Sequence, residues 1–254
     1  MRRSALYILT ILSLQGCAIR SVYIPSTQNT PLFNKTRELT GAVYPGANHT
    51  EFQFAANPVN HLAVTANGNL GIGIVGLEAG GGFYNYSSTG KIRYELLAGY
   101  GYFYNSSHQT NIPSILIGKN IDYDVYARYY KHYIQPAIGY FGSMDYYNIH
   151  YSFSLSVQLG VNYFSSYQYR ETDPYRSPID PLYVVDKDYE NKYLFTIQPS
   201  ITNKVGYKDK FFVVLQLQTI SPYSRQIDVS NTKFSSGFLI STGMQYNLQI
   251  RHKK

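Results

Sequence analysis

The chain has no tryptophan, a single cysteine, and little that would let it cross a membrane as a helix. One thiol cannot form an internal disulfide, so no disulfide framework holds the fold. The apolar stretch near the start, Ala5 to Leu14, is well short of the about 20 residues that a transmembrane helix needs. Lysine and arginine are spread along the chain, so the formal charge of +7 gives general attraction to anionic headgroups or lipopolysaccharide and no nucleic-acid patch. The histidines have no metal-ligand spacing. Gly71, Gly73, Gly76 and Gly80 to Gly82 open no helix carrying the Lys-Ser/Thr pair of a phosphate site, and read as close backbone approach in a curved sheet. No metal and no cofactor is therefore expected.

What is present is alternation. From His150 to Phe164, Tyr151, Phe153, Leu155, Val157, Leu159, Val161 and Tyr163 occupy the odd positions, with Ser152, Ser154, Ser156, Gln158, Gly160 and Asn162 at even ones. A period of two over this length is one long strand with an apolar and a polar face. A tilted strand needs about 9–11 residues to cross a bilayer. The polar face is small and uncharged, and residues 147–165 contain no Lys, Arg, Asp or Glu. Such a face suits the interior of a narrow barrel better than a surface in bulk water. Tyrosine, at 28 residues, is abundant enough to form interfacial girdles together with phenylalanine in place of tryptophan.

Arg2 and Arg3, followed by the apolar run, have the form of an export signal. Leu14-Gln15-Gly16-Cys17 resembles the bacterial lipobox, which implies cleavage before Cys17 and its acylation. Residues 1–16 are then a lipoprotein signal peptide, and the charge falls from +7 to +5 with the two arginines. No acidic residues follow Cys17, which favours an inner-leaflet anchor facing the periplasm. Residues 17–36 read as a lipidated linker. Pro25 and Pro31 break any periodicity, and Tyr23, Ile24, Leu32 and Phe33 are free to pack, so the linker is either a disordered tether or a short plug or rim pad.

Alternation and turn chemistry place about ten strands in residues 37–250, before a basic tail at 251–254. They run near 37–44, 50–57, 60–68, 75–87, 91–105, 125–141, 147–165, 191–203, 210–219 and 235–249, the first three being shorter and less regular. Arg93 and Glu95 share the polar face of the fifth, where they form a possible lumen ion pair. Short links at 57–60, 87–90, 142–146 and 204–209 alternate with long ones at 106–124, 166–190 and 220–234, as the periplasmic turns and external loops of a transmembrane barrel do. Ile134-Gln135-Pro136-Ala137-Ile138 and Ile197-Gln198-Pro199-Ser200-Ile201 echo each other, and the two prolines read as bulges near the short-turn rim.

On the last strand, Ser241, Gly243, Tyr246 and Leu248 match the polar-x-Gly-x-x-apolar-x-apolar signal read by the barrel-insertion machinery, although the chain continues past it with IRHKK. Together with YIPSTQNTPLF, IQPAIG and IQPSITNKVGYK, these features make the chain similar to lipobox-bearing outer-membrane β-barrel proteins of Bacteroidetes-type bacteria. The resemblance implies a fold and a place and carries no reaction or ligand.

His150 and Ser152 have the His-x-Ser spacing of outer-membrane lipid A deacylases, but the region where an acid should follow reads Gly160-Val161-Asn162-Tyr163. Asp122 and Asp124, and Asp180, Asp186 and Asp188, read as solvated loop acids. The expected molecule is an all-β, up-and-down antiparallel transmembrane barrel of about 8–10 strands with a lipidated linker. It is non-enzymatic, sits in the outer membrane of a Gram-negative cell, and acts through surface loops in binding, adhesion or envelope support. Its expected partners are outer-membrane lipids, lipopolysaccharide, and the barrel-insertion and lipoprotein-sorting machinery. One alternative is a periplasmic lipoprotein with a lipocalin-like barrel around an apolar ligand, its faces Tyr151 to Tyr163 and Phe211 to Leu217 turned inward. Another is a lipid A deacylase-like hydrolase.

Overall fold

The computed structural model describes residues 26–33, 37–46, 49–113, 120–172, 183–227 and 237–249. Among them are eleven strands and no α-helix: β1 (Glu38–Pro45), β2 (His49–Val59), β3 (Leu62–Gly71), β4 (Ile74–Tyr86), β5 (Ile92–Pro113), β6 (Asn120–Met144), β7 (Ile149–Thr172), β8 (Tyr183–Tyr189), β9 (Lys192–Tyr207), β10 (Phe211–Tyr223) and β11 (Gly237–Gln249). Every neighbouring pair is antiparallel. Ten strands pair in chain order, skipping β8, and β1 pairs with β11 from Glu38↔Gln249 to Val43↔Met244, so the sheet closes into a barrel. Closure removes the free sheet edge. The remaining strand, β8, pairs with the upper part of β7, where Tyr167 faces Tyr189.

Alternation along each strand decides what faces where, and the result is an inverted molecule. On β9, Tyr193, Phe195, Ile197 and Ile201 are exposed on the outside, while Thr196, Gln198, Ser200 and Thr202 are buried within. On β10, Phe211, Val213 and Leu215 are outside and Gln216 and Gln218 inside. On β7, Phe153, Leu155 and Leu159 lie outside and Ser152, Ser154, Ser156 and Gln158 inside. This overturns the lipocalin-like arrangement: the bulky faces that it turns inward around a ligand are on the exterior.

The outer apolar surface is bounded by aromatic rings at both heights. Toward the long connections, Tyr102, Tyr130, Tyr163 and Tyr193 follow one another across β5, β6, β7 and β9, with centroids 5.4, 6.3 and 5.1 Å apart. Toward the short turns, Tyr140 lies 6.5 Å from Tyr151 and Phe211 5.9 Å from Tyr246. Inside, ring-sized groups need gaps in the facing wall. Gly99 pairs with both Gly80 and Tyr133, and a methyl group on it would come within 2.5 Å of the Tyr133 ring.

Several expectations need correction. The segments taken as long loops, 106–124 and 166–190, are largely strand: β5, β6 and β7 continue beyond the barrel, and β8 adds a fourth strand beside them. Periodicity weakens there because register shifts interrupt the alternation. The first three strands are as regular as the rest, with in–out patterns that small residues such as Ala55 and Ala63 had blurred. Pro136 and Pro199 are not bulges. Each leaves a gap in the ladder to one neighbour, between Ile134/Ala137 on β6 and between Gln218/Ser221 opposite β9, with register unchanged across it. A proline cannot donate to the ladder, yet here it interrupts the bonds without inserting a residue. The register shifts fall elsewhere, at Ala56/Val59, Gln109/Ile112, Arg128/Tyr129 and Glu171/Thr172.

Gly99→Val should destabilise the folded barrel by about 1–3 kcal/mol through overpacking against Tyr133, measured as a shift in the urea unfolding midpoint in detergent. Adding Tyr133→Ala should recover part of the loss. Additive losses would show that the ring and the glycine do not share one space.

Candidate functional site in the barrel lumen

The lumen is occupied by the chain itself. Residues Ser26 to Phe33 lie inside the barrel, and Ser26, Thr27, Gln28, Thr30, Leu32 and Phe33 are each at most 3% exposed. This segment is too polar to pack as a core strand and belongs to no ladder, so its backbone groups need partners from the wall. They find them in side chains. The carbonyls of Ser26, Thr27, Gln28, Asn29, Thr30 and Leu32 accept from Gln218 (3.2 Å), Gln53 (2.8 Å), Gln216 (3.0 Å), Gln135 (2.8 Å), Lys204 (2.7 Å) and Arg93 (2.6 Å). Those six donors come from five strands around the ring. The Thr27 and Gln28 amides donate to Glu51 and Gln216, each at 2.8 Å, and the Leu32 amide donates to Glu95.

Both ends of the segment are fixed differently. Phe33 packs in an apolar pocket of Ala55, Ala63, Tyr84 and Leu97 toward the short turns. Leu32 fits where Gly139 leaves room: a methyl group there would meet its Cδ1 at 2.5 Å. At the other end, Ser26 hydrogen-bonds Glu78 at 3.3 Å and accepts from Lys131 at 3.4 Å. Lys131 and Glu78 form a buried ion pair of 2.8 Å, with Asn67 donating to the same carboxylate at 3.0 Å. Beyond this pair, the long-connection end of the lumen turns apolar. Phe103 stacks on Tyr129 at 4.9 Å and Tyr129 meets Phe164 at 4.8 Å, with Leu194 and Ile220 in the same cluster.

The residues singled out in the sequence fall into place unevenly. Arg93 and Glu95 do face the lumen, both buried, and both hold Leu32, one at its carbonyl and one at its amide. Of the assembly-signal residues on β11, Gly243 is buried on the lumen side, while Tyr246 and Leu248 are exposed outside. Cys17, Tyr23 and Ile24 lie outside the described residues, as does Asp180. His150 does have an acid, Asp209, at 2.9 Å, supplied by the β9–β10 turn, which a search along β7 alone could not find. Among the described residues Ser152 Oγ has no hydrogen-bond partner, so the three groups do not form a relay. Asp124 hydrogen-bonds His108 on the outer face of the tall sheet. With Gln168, Arg170 and Asp188 they line an open cleft of about 500 Å³.

Sequence reasoning missed the wall charges Glu51, Glu78, Lys131 and Lys204. Their signal was present: each is a charge on the inward parity of its strand, set among uncharged neighbours. Comparisons with protein-family models and with curated proteins find no match for this chain.

Removing one partner of a buried pair leaves an uncompensated charge, which costs about 3–5 kcal/mol. Lys131→Met should therefore lower barrel stability by about that much in urea titrations, and adding Glu78→Gln should restore most of it. A loss below about 1 kcal/mol for the single variant would contradict the pair's role in closing the lumen.

Proposed function

We propose that this protein is a non-enzymatic β-barrel of a Gram-negative outer membrane, held also by a lipid on Cys17, that works through the structure on its long-connection side. The observation that carries the reading is the inversion of polarity. A barrel in water would leave Leu77, Phe83, Phe195, Ile197, Phe211 and Val213 exposed at half their surface or more while burying Gln and Ser chains within. In a bilayer the same arrangement is the favourable one, because lipid covers the apolar face and the closed ladder satisfies the strands' backbone except beside Pro136 and Pro199. The height fits as well. Tyr151 and Tyr163 on β7 are separated by about 40 Å of strand, which a tilt of roughly 40° reduces to about 30 Å, the thickness of a hydrocarbon core.

Above the upper tyrosine ring, the outer face changes to Ser106, His108, Asp124, Gln168, Arg170 and Asp188, as expected for a surface in water. The tall sheet of β5 to β8 is then the part that meets partners outside the cell. Lipopolysaccharide surrounds it, and the barrel-insertion and lipoprotein-sorting machinery are its partners in biogenesis. The non-enzymatic reading is supported by the isolation of Ser152 from the His150–Asp209 pair.

An epitope tag inserted within residues 173–182, between the β7 and β8 hairpin arms, should be reached by antibody or protease on intact cells while a periplasmic control stays protected. A tag protected until the outer membrane is opened would refute the spanning orientation.

A further inference from the structure

The segment Ser26–Phe33 is an occupant of the lumen and no part of its wall. All its described bonds to the wall run through side chains, and the wall is hydrogen-bonded without it: Gln216 donates to Thr202 (2.8 Å), Gln158 to Gln135 (3.1 Å) and Gln218 to Gln198 (3.3 Å). Taking the segment away would leave a polar tube open at the short-turn mouth, which ends beyond Lys131–Glu78 at the buried rings of Phe103, Tyr129 and Phe164. Leu32, at a φ of 46°, turns the segment, so the space released runs from that ion pair to the short-turn mouth. Its width is that of one peptide chain.

The wall also carries polar groups that the segment does not use. The hydroxyls of Ser152, Ser154 and Ser200 are buried without a hydrogen-bond partner, on the neighbouring strands β7 and β9. They begin at a pocket of about 100 Å³ at the short-turn mouth, lined by Ser152, Lys204 and Leu32, and continue inward beside the segment. Buried polar atoms of this kind call for an explanation, and a path meant for water or hydroxyl-bearing solutes supplies one. The charges bonded to the segment are Glu51, Glu78 and Glu95 against Arg93, Lys131 and Lys204, and Glu38 adds a buried carboxylate beside Pro31 and Leu32. A wall of amides and hydroxyls with charges of both signs and a net charge of small magnitude suits small neutral hydrophilic solutes and discriminates weakly between ions.

We infer that the barrel is a conduit for small hydrophilic solutes, held shut by Ser26–Phe33 on the short-turn side and by the rings of Phe103, Tyr129 and Phe164 at the other end. The inference rests on the membrane-spanning reading. The purified full chain, reconstituted in planar lipid bilayers, should be silent, and the chain lacking residues 26–33 and carrying Phe103→Ala, Tyr129→Ala and Phe164→Ala should conduct. The synthetic peptide Ser-Thr-Gln-Asn-Thr-Pro-Leu-Phe, added to the bath, should close the deletion variant, and a scrambled peptide should leave it open. A second variant keeps the chain at full length: Leu32→Gly with Phe33→Gly, beside the same three alanines, loosens the short-turn end and should give intermittent opening. Insertion is followed separately by heat-modifiable migration and protease protection in proteoliposomes. Failure of the full chain to insert would sink the spanning reading itself. Inserted, folded variants that do not conduct would overturn the conduit alone, as would equal block by both peptides.

Discussion

The structure depends on satisfying polar groups in a place that bulk water does not fill. Closing a sheet whose inward positions are Gln, Asn, Ser and Thr creates a tube of buried donors and acceptors, each of which costs free energy if left unpaired. Narrow barrels usually meet this by filling the interior with side chains. Here a length of backbone does part of the work. The Gln53, Gln135, Gln216 and Gln218 amides reach inward to carbonyls of one segment, and Glu51 and Glu95 reach to its amides. The lumen thus recognises a peptide mainly by its main chain, with Leu32 and Phe33 setting its position along the axis.

This arrangement links the fold to the proposed place of action. A polar interior completed from within leaves the exterior free to be apolar, and in the proposed location lipid covers it. The ion pair Lys131–Glu78 marks where the hydrogen-bonded zone ends and the aromatic zone of Phe103, Tyr129 and Phe164 begins. The three outward features are stacked in the same sense: an apolar belt, a tyrosine ring, then the charged face of the tall sheet. Short turns at one end and tall strands at the other make the molecule polar along its axis, so its two mouths present different chemistry. The short-turn mouth is lined by Arg93, Lys204, Lys208 and Lys210 with Glu38 and Asp209, whereas the opposite end is aromatic.

The barrel was legible in the sequence because a period of two is rigid: one misassigned residue would turn a whole strand inside out. Residues 150–164 and 191–203 therefore gave both the strands and their inward faces. The tall extensions were not legible, since around Ser106–His108 and Tyr167–Arg170 neither face is uniformly apolar and register shifts break the alternation. The echo of Pro136 and Pro199 was real in position, both lying opposite or beside Val157, but its consequence was not readable, because a proline's effect on a ladder depends on which neighbour its missing N–H would have served. The lumen segment was the hardest element to foresee. STQNTPLF has no periodicity, and what fixes it is a set of single polar residues on strands far apart in the chain, which only closure brings to a common axis.

The proposed place of action requires the apolar exterior to face lipid. Nitroxide labels at Leu155→Cys and Val213→Cys, in a chain carrying Cys17→Ser and reconstituted in lipid vesicles, test it directly through collision with dissolved oxygen or with a water-soluble nickel chelate. Strong oxygen and weak nickel relaxation are expected at both positions, with the reverse at Asp188→Cys on the tall sheet. Strong nickel relaxation at 155 and 213 would contradict it, because those faces would then meet water.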